Sequence, residues 1–251
     1  MASRNDVRYW LLRLISGSPN LYRAAQWFNR NVLYKIGLKI TVADSLTIGN
    51  RWPYRLLYFE RLLSLVKNVQ GDIVECGVSE GMSLVIFAIL NRNLLTKRHI
   101  WGFDSFEGLP TPSREDLSRP KTIAKEGMFC QASKGRVLSN LMDAGFDEQT
   151  IKDQVTLVKG WFSDTLPKYD GSIALLHLDA DLYDSTKCAL ENLWPKVAIG
   201  GIAAFDEYHQ SEEWPGEKKA VDEYFSWLLK NKSVKMKREP SHNYYYIVKL
   251  E

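Results

Sequence analysis

The sequence predicts an α/β fold with a mostly parallel sheet and an antiparallel hairpin strand at the C-terminal end. Short apolar runs alternate with segments of helical periodicity along most of the chain, which is typical of a parallel sheet flanked by helices. Several of these runs end at glycine or at acidic residues, where such sheets bind ligands. The last two runs, 234–238 and 244–250, flank a short polar turn and predict the hairpin.

Length and composition restrict the class of protein. The chain has 251 residues, enough for one large domain with an appendage, and its net charge of +3 is too small to indicate a nucleic-acid partner. We expect no signal peptide, and the most apolar run, 84–95, is too short to span a bilayer. Three cysteines without metal-binding spacing (Cys76, Cys130 and Cys188) indicate reduced thiols and a cytoplasmic location.

The N-terminal segment differs from the rest of the chain. Residues 1–45 are predicted to form a helical extension or lid, and residues 46–251 the main domain. Within the first 43 residues seven Lys or Arg accompany a single acid, Asp6, and aromatic and aliphatic residues lie between them. Three interpretations are open: packing on the main domain or on a second subunit of a homo-oligomer, closure over an active site, and contact with a membrane surface.

The first predicted strand leads into a glycine-containing turn. Glu75 lies two residues before Gly77, and Gly81 precedes the next helix, giving Glu-x-Gly-x-x-x-Gly. Gly77 allows the backbone to approach a ligand and Gly81 allows the tight turn. The pattern differs from the dinucleotide fingerprint Gly-x-Gly-x-x-Gly. An acid at this position suits a positively charged ligand, such as the amino-acid group and sulfonium of S-adenosylmethionine.

Two further segments favour a nucleoside site. The short strand 99–104 ends at Asp104, where a carboxylate accepts hydrogen bonds from ribose hydroxyls in nucleoside-binding α/β folds. The alternative is that Asp104 caps the turn that follows. Trp161 or Phe162, in the loop after strand 155–159, suits stacking on an adenine ring, and either also suits packing in the core. The polar, proline-containing segment 108–128 is a candidate lid or substrate-binding loop.

Acidic residues end two further predicted strands, 173–178 and 202–205. They are Asp179, Asp181, Asp206 and Glu207. Neighbouring parallel strands would place these carboxylates in one crevice, where they raise one another's pKa unless a cation compensates them. Oxygen-only ligands suit Mg²⁺, Ca²⁺ or Mn²⁺. The alternative is that the acids cap helices in solvent, and Ser185 or Thr186 is expected to cap the helix after the first pair.

These motifs together resemble the macrocin O-methyltransferases, a Mg²⁺- and S-adenosylmethionine-dependent family. The resemblance covers roughly residues 45–250 and rests on the segments 73–78, 103–110 (Phe-Asp-Ser-Phe-Glu-Gly-Leu-Pro), 160–162, 178–186 (with Asp-x-Asp-x-Tyr-x-Ser-Thr) and 200–208. It implies a Rossmann-like class I methyltransferase fold. It also implies a small hydroxylated acceptor, as in natural-product biosynthesis.

The resemblance implies roles for individual residues. Asp179, Asp206 and Glu207 match metal-ligand positions, and Asp181 matches the general base. The positions that match the cofactor site are Thr47, Glu75, Gly77, Ser83, Asp104 and Ser105. The chain departs from the family at three places: many relatives carry Trp-Arg-Gly-Gly at residues 79–82, Asp-Asp at residues 206–207, and Arg at residue 177.

We therefore hypothesise an S-adenosylmethionine- and Mg²⁺-dependent O-methyltransferase that acts on a hydroxyl of a sugar or other natural product. One alternative is a metal-independent methyltransferase that acts on nitrogen or oxygen, in which the acids bind a basic substrate. The other is a non-catalytic nucleoside-binding scaffold that associates through its basic N-terminal helices.

Overall fold

The structure is a computed structural model that describes residues 51–94, 96–239 and 243–251. The predicted extension 1–45 and the candidate cofactor residue Thr47 lie outside the described residues. The boundary between extension and main domain, the homo-oligomer and the membrane contact therefore stay predictions.

In the described part of the chain, seven strands form one sheet with the order β3-β2-β1-β4-β5-β7-β6. The strands are β1 (Asp72–Cys76), β2 (Ile100–Asp104), β3 (Val155–Lys159), β4 (Ile173–Leu178), β5 (Val197–Phe205), β6 (Val234–Arg238) and β7 (Tyr245–Lys249). The first five strands pair in parallel, whereas β7 is antiparallel to both β5 and β6. The predicted α/β class with a terminal antiparallel hairpin is confirmed.

Helices cover both faces of this sheet. They are α1 (Arg51–Leu65), α2 (Met82–Asn93), α3 (Lys134–Asp143), α4 (Glu148–Gln154), α5 (Phe162–Thr165), α6 (Tyr183–Leu193) and α7 (Pro215–Lys230). One buried cluster includes Phe59 of α1 and Phe87 of α2, and a second includes Leu190 of α6 and Phe225 of α7. Because helices pack on both sides, every residue of β4 is buried, which explains its uninterrupted apolar run before His177.

The start of α6 differs from the sequence prediction. Neither Ser185 nor Thr186 caps the helix, which begins at Tyr183 and has no side-chain cap at Leu182. Instead the carboxylate of Asp116 accepts the backbone N–H of Tyr183 at 2.7 Å. The cap comes from a distant loop, so the local sequence around α6 does not contain its signal.

The long loop between β2 and α3 is therefore attached to the carboxyl side of the sheet. Besides the Asp116 contact, Leu182 and Trp214, which follow β4 and β5, form a small buried cluster with Ala124 of this loop. A side chain at Gly216 would clash with the Asp116 carboxylate, so α7 approaches the loop only with glycine there. The loop predicted as a lid borders the edge that carries the candidate site.

The described helices include none with the combination of length and apolar character that crossing a bilayer requires.

Candidate active site

The carboxyl ends of β1, β2, β4 and β5 are joined by backbone hydrogen bonds that continue beyond the strands. The N–H of Asp179 donates to the carbonyl of Cys76 at 2.9 Å, and the N–H of Asp206 donates to the carbonyl of Leu178 at 3.0 Å. On the other side, Gly77 donates to Phe103 at 2.9 Å. This network fixes the glycine turn and the first acid of each pair along one sheet edge.

Gly77 connects the two halves of that edge. Its φ is +89°, in the left-handed region, and a Cβ there would overlap the carbonyl oxygen of Asp179. The sequence predicted a glycine that lets the backbone approach a ligand. The structure shows that the missing side chain lets the turn after β1 contact the loop after β4. The approach of a ligand stays a prediction.

The predicted acids fall into two overlapping groups that share Asp179. Carboxylate oxygens of Asp179, Asp181 and Glu207 lie within 4.8 Å of one another, and so do ligand atoms of His177, Asp179 and Asp206. Asp181, predicted as the general base, thus lies within the acidic cluster, and its φ is +59°. A left-handed non-glycine residue costs roughly 1–3 kcal/mol, and such strain concentrates at functional sites.

Arg55 of α1 joins the two acid-bearing loops, a contact that sequence reasoning missed. Its Nη2 lies 2.8 Å from Asp179 Oδ2 and 2.6 Å from Asp206 Oδ1. Burial lowers the pKa of Arg55, but Asp206 and Asp179 raise it by more, so the guanidinium stays charged. No local pattern reveals this role, because it depends on how α1 packs against the sheet.

His177 connects the buried Glu75 to the same cluster. Its Nδ1 lies 3.1 Å from Glu75 Oε1, and its Nε2 lies 3.7 Å from Asp206 Oδ1. Burial lowers the pKa of His177, but the neighbouring carboxylates of Asp206 and Glu75 raise it to about 9. In the described structure Glu75, a predicted cofactor residue, is therefore an internal partner of a charged imidazole.

Glu217 is a further buried acid that the sequence analysis did not identify. Its Oε1 accepts the backbone N–H of Glu207 at 3.0 Å, and the residue is 0% exposed. Among the described residues, Glu217 Oε2 and Glu207 Oε2 are buried without a hydrogen-bond partner. Glu217 lies in the first turn of α7, where acidic residues are common, so the sequence did not distinguish it from an ordinary acid at a helix N-terminus.

The acids of the cluster differ in the direction of their pKa shifts: the pKa of Asp206 is lowered, and the pKa values of Asp179, Asp181, Glu207 and Glu217 are raised. Burial and the charge of Asp206 raise the pKa of Asp179 to about 7, and burial with Asp179 raises that of Asp181 well above its usual value. Burial and Asp206 likewise raise the pKa of both Glu207 and Glu217. For Asp206, burial raises the pKa, but Arg55 and His177 lower it further, so this carboxyl is ionised.

Carboxyl groups outnumber cations in this part of the described chain. The acids are Glu75, Asp179, Asp181, Asp206, Glu207 and Glu217, and the cations that contact them are Arg55 and His177. Unpaired buried charge is costly, and oxygen-only ligand sets suit a hard divalent cation. The unpartnered, buried Glu207 Oε2 fits such a group, so the residues are suited to hold Mg²⁺.

The part of the edge that follows β1 and β2 holds the predicted cofactor residues, and we call it the cofactor half. Its acid, Asp104, is paired with backbone N–H groups. Asp104 Oδ2 accepts the N–H of Ser79 at 2.8 Å, and Oδ1 accepts the N–H of Phe106 at 2.6 Å. Asp104 therefore caps the turn, as the alternative interpretation held. Each carboxylate oxygen has a second lone pair, so a role toward ribose hydroxyls remains compatible and stays a prediction.

The remaining predicted cofactor residues lie on the elements around this turn. The Ser105 hydroxyl donates to the carbonyl of Gly108 at 3.0 Å, and Ser83 is buried at the start of α2. Gly81 has a φ of +84° at the N-cap of that helix. Trp161 precedes α5 and is 39% exposed, whereas its neighbour Phe162 packs against the core. The roles of these residues toward a cofactor stay predictions.

The strand order, the glycine turn after β1 and the acids at the carboxyl edge define the class I methyltransferase fold. Solved structures agree. The structure "Structure of the O-methyltransferase NovP" superposes with a TM-score of 0.67 at 26% identity, covering 97% of this chain and 98% of that one. The calicheamicin methyltransferase CalS11 superposes with a TM-score of 0.66 at 26% identity, covering 99% and 94%.

The chain belongs to the macrocin O-methyltransferase family. The profile of that family, Macrocin-O-methyltransferase (TylF), matches residues 48–229. Demethyldecarbamoylnovobiocin O-methyltransferase of Streptomyces niveus is 35% identical over 191 residues, covering 70% of each chain. A second relative, from Streptomyces olivaceus, is named 8-demethyl-8-(2,3-dimethoxy-α-L-rhamnosyl)-tetracenomycin-C 4'-O-methyltransferase. It is 34% identical over 181 residues, covering 66% of this chain and 68% of that one. The protein is thus an O-methyltransferase of the S-adenosylmethionine-dependent class.

Proposed function

We propose that this protein transfers a methyl group from S-adenosylmethionine to a hydroxyl of a sugar on a natural product, with Mg²⁺ bound at the acidic edge. The observation that carries this proposal is the surplus of buried carboxyl groups beside the glycine turn. Relatives support the acceptor class: one is named for a rhamnosyl tetracenomycin and another structure is titled a TDP-rhamnose 3'-O-methyltransferase.

Asp179, Asp206 and Glu207 are the residues that we assign to the ion. A divalent ion bound there would acidify and orient the acceptor hydroxyl. Arg55 bonds one oxygen of Asp179 and one of Asp206, and Glu217 accepts the backbone N–H of Glu207. Glu207 Oε2, which is buried without a hydrogen-bond partner among the described residues, is an oxygen that such an ion would take.

Asp181 is the group that we assign as general base. Burial and the neighbouring charges of Asp179 and Asp206 raise its pKa, so the carboxylate is a stronger proton acceptor than an exposed aspartate. Its oxygens lie within 4.8 Å of ligand atoms of Asp179 and Glu207, so a hydroxyl held at those residues is close to the base. Asp181 would accept the hydroxyl proton as the oxygen attacks.

The cofactor half positions the methyl donor. S-adenosylmethionine supplies an electrophilic methyl group on a sulfonium, and the reaction needs the oxygen, the carbon and the sulfur in line, so orientation supplies much of the rate. We assign Asp104 to the ribose hydroxyls, Trp161 to the adenine face, and the turn at Gly77 to the approach of the amino-acid end. The loop between β2 and α3 borders this edge and would limit access of water.

The test is methyl transfer from labelled S-adenosylmethionine to TDP-rhamnose and to rhamnosylated aglycones, with Mg²⁺ or with EDTA. We expect turnover that EDTA abolishes and Mg²⁺ restores, and we expect Asp179→Asn to lose about 100-fold or more. Asp184→Asn is the matched control, because Asp184 belongs to the same motif but is exposed. Near-native turnover of Asp179→Asn in EDTA would refute the metal assignment.

One observation favours a second candidate, the metal-independent methyltransferase. Arg55 already neutralises part of the charge on Asp179 and Asp206 without an ion. In that case the remaining acids would bind a basic acceptor. Turnover that is insensitive to EDTA with an amine acceptor, but absent with sugars, would select this candidate.

A further inference from the structure

We infer that Arg55 is a built-in counter-ion of the acidic site, which holds the carboxylates of the β4 and β5 loops together before a divalent cation binds and weakens the binding of that cation. The inference rests on the proposed Mg²⁺ site and adds to it a residue that sets cation affinity. Arg55 is a positioning residue in this account, since it touches the ligand carboxylates and no reacting atom.

The contact is a bridge between two strands. One guanidinium nitrogen bonds a carboxylate from the loop after β4 and a carboxylate from the loop after β5, at 2.8 Å and 2.6 Å. Because arginine does not lose its proton in proteins, the positive charge at this point is permanent. The bridge uses one oxygen of each carboxylate, so an ion held by these two residues would lie near the guanidinium.

The backbone of Arg55 and its guanidinium are held by different contacts. Its helix is fixed in the core by Phe59, Leu62 and Leu63, which have almost no exposed surface. The Arg55 side chain is 19% exposed, and its Nε has no hydrogen-bond partner among the described residues. The backbone is thus held firmly, while the charged end of a long side chain is held mainly by the two carboxylates and by the Phe59 ring, 5.7 Å from its centre.

This arrangement predicts two effects of opposite sign when the charge of Arg55 is removed. Without an ion, Asp179 and Asp206 would repel each other across the two loops, so the ion-free protein becomes less stable. With Mg²⁺, the repulsion between two neighbouring cations disappears, so the ion binds more tightly. An arginine that only supported the fold would produce the first effect without the second.

The test measures binding of Mg²⁺ and Mn²⁺ by calorimetry, and thermal unfolding with and without the ion, in protein free of cofactor and acceptor. The variant Arg55→Gln removes the charge, and Arg55→Lys keeps it. Arg61→Gln is the matched control on the same helix: Arg61 is 54% exposed and pairs with Glu239 at 3.0 Å, not with the predicted metal ligands.

We expect Arg55→Gln to lower the melting temperature in EDTA, to bind Mg²⁺ about tenfold more tightly and to gain more stability from it than the wild type. Arg55→Lys and Arg61→Gln should keep the affinity of the wild type. If Arg55→Gln folds only when Mg²⁺ is added, that rescue supports the inference.

Two results would overturn the inference, and they are distinguishable. Equal or weaker Mg²⁺ binding by Arg55→Gln, with clear binding by the wild type, rejects the counter-ion role and leaves the proposed function intact. Absence of binding by both proteins rejects the metal site as well as the role of Arg55.

Discussion

The two halves of the carboxyl edge differ in how their carboxylates are paired. The cofactor half follows β1 and β2, and the acidic half, which carries Asp179, Asp181, Asp206 and Glu207, follows β4 and β5. At the cofactor half, both oxygens of Asp104 accept backbone N–H groups, from Ser79 and from Phe106. At the acidic half, Glu207 Oε2 and Glu217 Oε2 are buried without partners in the described chain, and burial raises the pKa of both residues. Asp104 in the first half is paired within the protein, whereas the second half has more carboxyl groups than cations among the described residues.

The difference follows from the number of donors available. A single acid after β2 meets a turn whose N–H groups are directed at it, so the carboxylate is paired locally. After β4 and β5 the acids come in close succession. Arg55 donates to two of them, and His177 Nε2 lies 3.7 Å from Asp206 Oδ1, beyond hydrogen-bond distance. Surplus charge in a fixed protein environment is stable only with an added cation or with protons.

The largest effect is expected at the base, which only the acidic half provides. Asp181→Asn should lower turnover by about 10³-fold, because the amide accepts no proton from the attacking hydroxyl. Binding of S-adenosylhomocysteine, measured by calorimetry, should stay near that of the wild type, because the cofactor half is unchanged. Turnover within tenfold of the wild type would remove Asp181 from the base role.

The junction between the halves is tested by Gly77→Ala. The new Cβ would overlap the Asp179 carbonyl at a φ of +89°, so we expect a loss of about 3 kcal/mol in the free energy of unfolding, measured in urea. Gly135→Ala is the control, since a Cβ there meets nothing within 4 Å. A Gly77→Ala protein as stable as the control would show that the two loops do not approach as described.

The smallest effect on stability and Mg²⁺ affinity is expected from Glu217→Gln, which removes one acid of the acidic half and keeps the hydrogen bond to the backbone of Glu207. Glu217→Gln keeps an oxygen for the N–H of Glu207 but removes one acid, so the ion-free protein should gain about 1 kcal/mol and bind Mg²⁺ several-fold more weakly. Glu217→Ala should instead destabilise, because the buried N–H loses its acceptor. A destabilised Glu217→Gln protein would mean that this acid is already compensated.

Local patterns in the sequence predicted most of the sheet and the acids at its edge. The apolar run of β4, the glycine after β1 and the two apolar runs of the hairpin are features of neighbouring residues, and the structure has the predicted strands. The cap of α6 was predicted wrongly, because Asp116 reaches Tyr183 from the long loop after β2. Local propensity carries no information about such a contact.

The composition of the candidate site was harder to predict than its position. Asp179, Asp181, Asp206 and Glu207 follow strands, so strand order alone brings them together. Arg55 and Glu217 reach the same place from helices α1 and α7, and their contacts with the acids form only because these helices pack on the sheet. The residues that tune the charge of the site are therefore the ones that the sequence does not reveal.

The most direct test of the central claim is anomalous diffraction from crystals grown with Mn²⁺ and S-adenosylhomocysteine. We predict a single strong peak about 2.2 Å from oxygens of Asp179, Asp206 and Glu207, beside a ligand whose ribose contacts Asp104. A peak elsewhere, or an acidic edge without an ion while the ligand occupies the other half, would contradict it.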